Sequence, residues 1–274
     1  MSKSILLIGE SDVGKTHYGA QLLKRLMQGD GQLRMNGAAT NLQPFEAVME
    51  RLNDGRSAEH TPTSIYVDSV WPIIERDGGT ADLVWPDYGG EQIKTMLSSR
   101  HVSKVWQSRI ADSPAWLLLI RLQKLRVNDD IFSRPLSELG NPHQTQQELQ
   151  VSDQARLIEL LQILIYTSKA TNDRPISGPR INVLLTCWDE LSIDTQPKLA
   201  LKRHLPLFSD FLLSNWAAPA VLGLSALGRA LQAHERDSEY AARGPEMYGY
   251  VVLEDGTHSP DLTLPIKMLM SEIA

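Results

Sequence analysis

The sequence predicts an α/β fold in three layers: a mixed, mostly parallel sheet with one antiparallel hairpin strand and helices on both faces. Three observations carry this. Short, wholly apolar runs (SILLI, AWLLLI, INVLL) are the signature of strands covered on both sides. Stretches with helical spacing alternate with them. One pair of strand-like runs is joined by an Asp-Gly-Gly turn, which folds a chain back on itself.

In order along the chain, residues 3–8 read as a buried first strand. KTHYGAQLLKRLM (15–27) reads as a helix with Leu22, Leu23 and Leu26 on one face. Residues 28–60, rich in Gly and Asn, read as irregular, with one short helix over 44–52. SIYVDSVWPII (64–74) and ADLVWPDY (81–88) form the hairpin across ERDGGT. AWLLLIRL (115–122) and INVLLTCW (181–188) are two further buried strands, separated by the helix DQARLIELLQILIYTS (153–168). A helix-rich stretch follows over 196–216, and PAVLGLS (219–225) reads as the last core strand. Residues 128–151 form a polar insertion, and 234–260 form another that holds GYVVLEDG, an extra strand or hairpin. LPIKMLMSEI (264–273) reads as a closing helix. Neither insertion looks like a boundary, so the expectation is a single domain over 1–274.

Composition narrows the function classes. A formal charge of −6 and pI near 5.7 give no global attraction to nucleic acid or anionic membranes. The single cysteine, Cys187, excludes an internal disulfide and a multi-cysteine zinc site. The seven histidines show no metal-ligand spacing such as H-E-x-x-H. The N-terminus is too short in apolar residues for a signal peptide, and no run approaches the length of a membrane span. The expectation is a cytoplasmic, soluble protein without membrane insertion or nucleic-acid partner.

Four strand-end signals carry the chemistry. GESDVGKT (9–16) matches G-x-x-x-x-G-K-[ST] between a strand and a helix, the setting of a P-loop. There glycines turn backbone N–H groups toward phosphate oxygens and the helix N-terminus adds positive potential. Lys15 would reach the β- and γ-phosphates, and Thr16 would offer a hydroxyl to Mg²⁺. The bland alternative is a glycine turn that starts a helix. DYGGE (87–91) ends the second hairpin strand; Asp87 could hold Mg²⁺ through water, and Gly90 could bring an N–H to a γ-phosphate, or the stretch could be an ordinary polar turn. In TCWDE (186–190), Asp189 could accept two hydrogen bonds from guanine's N1 and exocyclic amine, or could cap the next helix. In SALG (225–228), the N–H groups of Ala226 and Leu227 could meet the base carbonyl, or Ser225 could be a helix cap. Their common order, each at a strand's C-terminal end, would gather all four in one crevice.

In that order the four stretches resemble the motifs of the translation-factor-class (TRAFAC) P-loop GTPases with a Ras-like core: GESDVGKT the first, DYGG the D-x-x-G, TCWD the [NT]-K-x-D and SALG the S-A-[KL] motif. TCWDEL, GYVVLEDG and DLTLPI further resemble the bacterial double-GTPase families, whose members work in multi-gene signalling or conflict systems. The resemblance implies a P-loop NTPase fold that binds GTP/GDP with Mg²⁺. It implies that Gly9, Ser11, Asp12, Val13, Gly14, Lys15, Thr16 and His17 form the phosphate cradle. Asp87 and Gly90 would found the second switch, while Thr186, Cys187, Asp189, Ser225, Ala226 and Leu227 would frame the base. A first-switch threonine would close on Mg²⁺, with Thr61 and Thr63 in HTPTS as candidates. Protein partners are implied too: an effector or activator, or a second GTPase of the same system.

Two positions depart from the pattern. Cys187 replaces the lysine whose stem covers the base. Glu91, a catalytic candidate beside Lys15, stands where a water-orienting glutamine is frequent; a carboxylate beside a γ-phosphate would meet like-charge repulsion, or could act as a poor base, and either predicts slow intrinsic hydrolysis. Two other readings stay open: a P-loop kinase or ATPase whose lid would hold Arg121, Arg126 and Arg134, and a nucleotide-bound scaffold without turnover.

Overall fold

The computed structural model describes residues 4–58, 67–87, 91–125, 152–170 and 173–273. Thr61, Thr63, Gly90 and the 128–151 insertion lie outside them, as do Arg126 and Arg134. The described strands are β1 (Ser4–Gly9), β2 (Leu33–Met35), β3 (Val67–Glu75), β4 (Thr80–Asp87), β5 (Ala115–Ile120), β6 (Arg180–Thr186), β7 (Val221–Ser225), β8 (Tyr250–Val252) and β9 (His258–Ser259). They make one sheet of order β2-β3-β4-β1-β5-β6-β7-β8-β9. The helices are α1 (Lys15–Gln28), α2 (Gln43–Asn53), α3 (Glu91–Ser99), α4 (Lys104–Asp112), α5 (Asp153–Ser168), α6 (Pro197–His204), α7 (Pro206–Asn215), α8 (Ser238–Arg243) and α9 (Leu264–Ile273).

The central strands are apolar throughout because both faces are covered. Along β1, Ile5 and Leu7 face one core with Tyr18, Leu22, Leu23 and Leu26 of α1 and Ile266 and Leu269 of α9. Leu6 and Ile8 face the other, with Leu157, Leu160, Leu161 and Leu164 of α5 and Phe208 and Leu212 of α7. This is the period-two alternation of a pleated strand, used twice. Between α1 and the hairpin lies an aromatic cluster in which Trp71 and Trp85 stack at 5.1 Å and Phe45 meets each edge-on. Gly19 makes the close approach possible, since a Cβ there would lie 2.4 Å from Phe45.

The mixed, mostly parallel sheet agrees with the expectation, with differences at the edges. Two strands run against the rest: β3 in the expected hairpin, and β8, which pairs antiparallel to β7. The 28–60 stretch is less irregular than its composition suggests. It adds β2 to the edge of β3, and Asp261 and Thr263 bond its approach through Gln32 N (2.8 Å) and Leu33 N (3.3 Å). β7 is the last of the parallel strands, and the 234–260 insertion supplies the expected extra hairpin, β8 and β9, beyond it. Residues 104–112, assigned no element from sequence, form α4, whose N-cap Ser103 accepts from Trp106 N. Among the described residues, no helix is long and apolar enough to cross a membrane.

Candidate functional site

Sheet register brings the four motifs to one edge. The β1–β4 register pairs Ser4 with Asp82 and Leu6 with Val84, and continued three residues it sets Gly9 level with Asp87. Gly9 pairs with Leu119 at the end of β5, and Thr186 with Leu224 at the end of β7, so Cys187 stands level with Ser225. Glu91 is the first residue of α3, immediately beyond the second motif.

The phosphate loop has the local geometry an anion cradle requires. Asp12 (φ 62°) and Gly14 (φ 78°) both take the left-handed conformation, which turns consecutive peptide N–H groups to one side. Gly9 is where the loop crosses closest to its neighbours: a Cβ would lie 2.9 Å from Val13 and 3.2 Å from Leu119. The N-terminus of α1 has no side-chain cap and no acidic residue in its first turn, so its positive end is not met by a carboxylate there. The Lys15 ammonium curls over the loop and donates to the carbonyls of Gly9 (2.8 Å) and Glu10. Val13 is buried, whereas Ser11 and Thr16 are half-buried at the mouth.

Ion pairs hold this loop from the side away from α1. Arg156 of α5 grips Glu10 through Nε (2.7 Å) and Nη2 (2.9 Å) and also pairs with Asp153. Arg121, the residue after β5, donates to the Asp12 carbonyl (3.0 Å), and Lys124 reaches the Asp12 carboxylate (2.9 Å). The same Arg121 forks onto Glu190 through Nε (2.8 Å) and Nη2. A bidentate pair of this kind fixes direction as well as distance.

His17 serves two elements. Its Nε2 accepts the backbone N–H of Ala58 at 3.0 Å, so the ring ties α1 to the chain just past α2. Burial, reinforced by Arg121, lowers its pKa to about 4, which keeps it neutral at physiological pH. That chain, with the last turn of α2, is also fastened to residues 232–237. Ser57 N donates to Gln232 O (3.1 Å), Asp237 N to Gly55 O (2.9 Å), and Arg51 to Ala233 O (2.6 Å).

At the base end, Thr186 is buried and its hydroxyl donates to Ile120 O at 3.2 Å. Cys187 takes a left-handed conformation (φ 52°) and starts a short 3-10 turn over Trp188–Leu191. Cys187 therefore holds the cap position, and Asp189 lies inside the turn rather than capping it. The Asp189 carboxylate is half-buried and, among the described residues, no donor bonds it. Trp188 is buried against β7, where Gly223 leaves room for the indole; a Cβ at 223 would lie 2.7 Å from the ring. Burial pushes the Cys187 thiol up to about 11, with Arg121 pulling the other way, so the thiol is protonated at neutral pH. The sulfur lies 3.5 Å from where a Cβ on Gly14 would be, so the first and third motifs touch.

Ser225 is fully buried, and its hydroxyl accepts from Gly228 N (2.9 Å), closing SALG into a turn with no helix behind it. Ala226 and Leu227 occupy that turn, half-buried. Tyr250 of β8 pairs with Ser225 in the sheet, and Asp189 contributes to the rise in its pKa after burial, which places the phenol in that carboxylate's field.

Sequence reasoning missed Glu10, Arg156, Glu190 and the lock between 54–58 and 232–237. One signal was available: a lone glycine in a strand, Gly223, marks a close approach.

The residues fit a nucleotide bound with Mg²⁺. The cradle's backbone donors and Lys15 suit phosphates, Thr16 and the end of β4 flank it, and the Asp189 carboxylate, which no donor bonds among the described residues, suits a base with two adjacent donors.

Among curated proteins none matches the chain. Among solved structures, the selenocysteine-specific elongation factor EF-Sec from bacteria is 13% identical, with a TM-score of 0.35; the match covers 82% of this chain and 26% of that one. This chain thus spans about a quarter of that factor's length. The Arl6 BBS3 small GTPase from Trypanosoma brucei, with a bound nucleotide analogue GppNp, is 10% identical over 79% of this chain and 83% of that one (TM-score 0.36). The signal recognition particle receptor SRb-GTP/SRX complex from Chaetomium thermophilum is 16% identical over 85% and 94% (TM-score 0.41). The family model for Double-GTPase 1 matches residues 6–269, nearly the whole chain, and the protein is therefore a member of the Double-GTPase 1 family.

Proposed function

We propose that this member of a GTPase family is a Mg²⁺-dependent GTP-hydrolysing switch, slow by itself and regulated by a protein partner. The observation that carries the reading is the meeting of a left-handed glycine cradle with a half-buried Asp189, bonded by no donor among the described residues, at one sheet edge.

In this reading the N–H groups at the start of α1 and the Lys15 ammonium bind the β- and γ-phosphates, orienting the γ-phosphorus and spreading its charge. The Thr16 hydroxyl and Asp87 would hold Mg²⁺, with Thr61 or Thr63 as the first-switch threonine. Bound Mg²⁺ would supply charge neutralisation between the β- and γ-phosphates. Asp189 accepts from guanine's N1 and exocyclic amine, and the N–H groups of Ala226 and Leu227 face its carbonyl. Water attacks the γ-phosphorus, the bond to the bridging oxygen breaks, and GDP and phosphate leave with the proton passing to solvent. Glu91, in place of a neutral water-orienting side chain, adds negative charge near that water. This makes unassisted turnover slow and leaves about 10³–10⁵ in rate for a partner's arginine to add. The partner is an effector, an activator or a second GTPase of the same system, in a bacterial signalling or conflict setting. One domain, with its insertions, suffices for this reading.

The test is titration of the purified protein with GTP, GDP and ATP, with and without Mg²⁺, followed by single-turnover hydrolysis. The reading expects tight GTP and GDP binding, weak ATP binding and turnover far below that of assisted GTPases. Preference for ATP would reject guanine recognition, and fast unassisted turnover would reject the dependence on a partner.

A further inference from the structure

Cys187 occupies the position where the third motif carries lysine, and a thiol is shorter than a lysine side chain and carries no positive charge in either protonation state. A cation nevertheless stands at this place. Arg121 follows β5 directly, and β5 lies between β1 and β6 in the sheet. Its backbone thus stands midway between the phosphate loop after β1 and the base loop after β6. The guanidinium spans both: Nη1 donates to the Asp12 carbonyl at 3.0 Å, while Nε and Nη2 fork onto Glu190, the neighbour of Asp189. Its field is felt at Cys187 and at His17. Lys124 secures the other end of Asp12 at 2.9 Å, so the carbonyl and carboxylate of one residue are held by two cations.

We propose that Arg121 replaces the missing lysine, delivered from β5 instead of β6, and acts as the positioning residue that locks the phosphate loop to the base loop for guanine-nucleotide retention. The inference rests on the guanine-nucleotide reading above. It reassigns Arg121, which sequence alone allowed as part of a kinase lid. A planar fork suits the task better than an ammonium. It can satisfy a carbonyl and a carboxylate at once in fixed directions. The main competing meaning of the contact is a plain structural ion pair, which would stabilise the fold and leave nucleotide exchange untouched.

The deciding experiment measures the dissociation of a fluorescent GDP analogue from the full chain and three variants, together with the unfolding midpoint of each nucleotide-free protein. Arg121→Ala is expected to speed dissociation about 10- to 100-fold, the range for losing a charge-assisted hydrogen bond. The nucleotide-free midpoint should stay within a few degrees. Adding Cys187→Lys to Arg121→Ala is expected to recover most of the retention, because the cation returns from the other strand. Glu190→Gln, which keeps the Asp12 contact and weakens only the base-loop half, is expected to speed dissociation about 3- to 10-fold. That variant decides the matter if Arg121→Ala fails to fold. Unchanged dissociation in Arg121→Ala, or no recovery with Cys187→Lys, overturns the inference while leaving guanine binding intact. A parent protein that holds no guanine nucleotide overturns both.

Discussion

Gly55 and Asp237 are in backbone contact across 182 residues of chain: Asp237 N donates to Gly55 O at 2.9 Å, and a Cβ on Gly55 would lie 2.2 Å from Asp237 O. Gly55 has φ +71°, so a side chain is disfavoured there on conformational grounds as well. The contact joins the end of α2 to the segment that follows SALG. Gly55→Ala should therefore cost about 2 kcal/mol, read as a lower urea midpoint at unchanged slope. A neutral outcome would mean that the two segments separate freely.

Acid should loosen the same region through His17. Its folded pKa, about 4, lies below the ordinary value of 6.5, so the unfolded chain binds the extra proton first. The stabilising contribution is complete above pH 6.5 and is lost as pH falls from 6.5 toward 4, with a slope of at most about 1.4 kcal/mol per pH unit. Protonation also removes the acceptor for Ala58 N. Urea midpoints should fall over that window in the parent and much less in His17→Gln; parallel profiles would refute the assignment.

Cys187 offers a second pH-dependent readout, simplified by its being the chain's only cysteine. Because burial lifts the thiol to about 11, iodoacetamide should label it slowly at pH 7.5 and faster as pH rises toward 11. Its contact with the phosphate loop at Gly14 predicts further protection by GDP. Rapid labelling at neutral pH that GDP does not slow would place the thiol away from the cradle.

Trp188 and Gly223 should behave as one unit. Trp188→Ala empties a buried indole site and should cost about 3–5 kcal/mol. Gly223→Ala drives a methyl group into that ring and should cost about 1–3 kcal/mol. Combined with Trp188→Leu, Gly223→Ala should be tolerated better than the sum of the single changes predicts, a non-additivity that a double-mutant cycle measures.

What could be read from sequence was local. GESDVGKT, the hairpin and the apolar central strands announce themselves within a dozen residues, and so does the helix over 153–168. Edge strand β2 did not, because three residues (Leu33–Met35) are too few to show alternation, and they pair only because β3 presents an open edge. The ion pairs around the phosphate loop were equally hidden. Glu10 and Arg156 lie 146 residues apart, and Arg121 and Glu190 lie 69 apart, with no spacing rule to connect them. TCWD and SALG were ambiguous for a different reason, since a helix cap and a base-reading loop use the same residue types. The fold removes the helix-cap readings by giving the cap position to Cys187 and by placing no helix directly after SALG.

The inner face of α1 is greasy toward the sheet and polar toward the last third of the chain. Gln21 donates to the Tyr240 hydroxyl (3.0 Å) and Pro245 O (2.9 Å), Arg25 donates to Tyr248 O (2.7 Å), and the Tyr18 hydroxyl donates to Leu262 O (3.0 Å). A version trimmed after SALG, at the point where the four motifs are already complete, would strand these groups beside an apolar sheet with nothing to bond. The helix that carries the phosphate loop would then lose its seating. The shortest stable piece of this fold must extend well past the four motifs, through the tyrosines and the final helix.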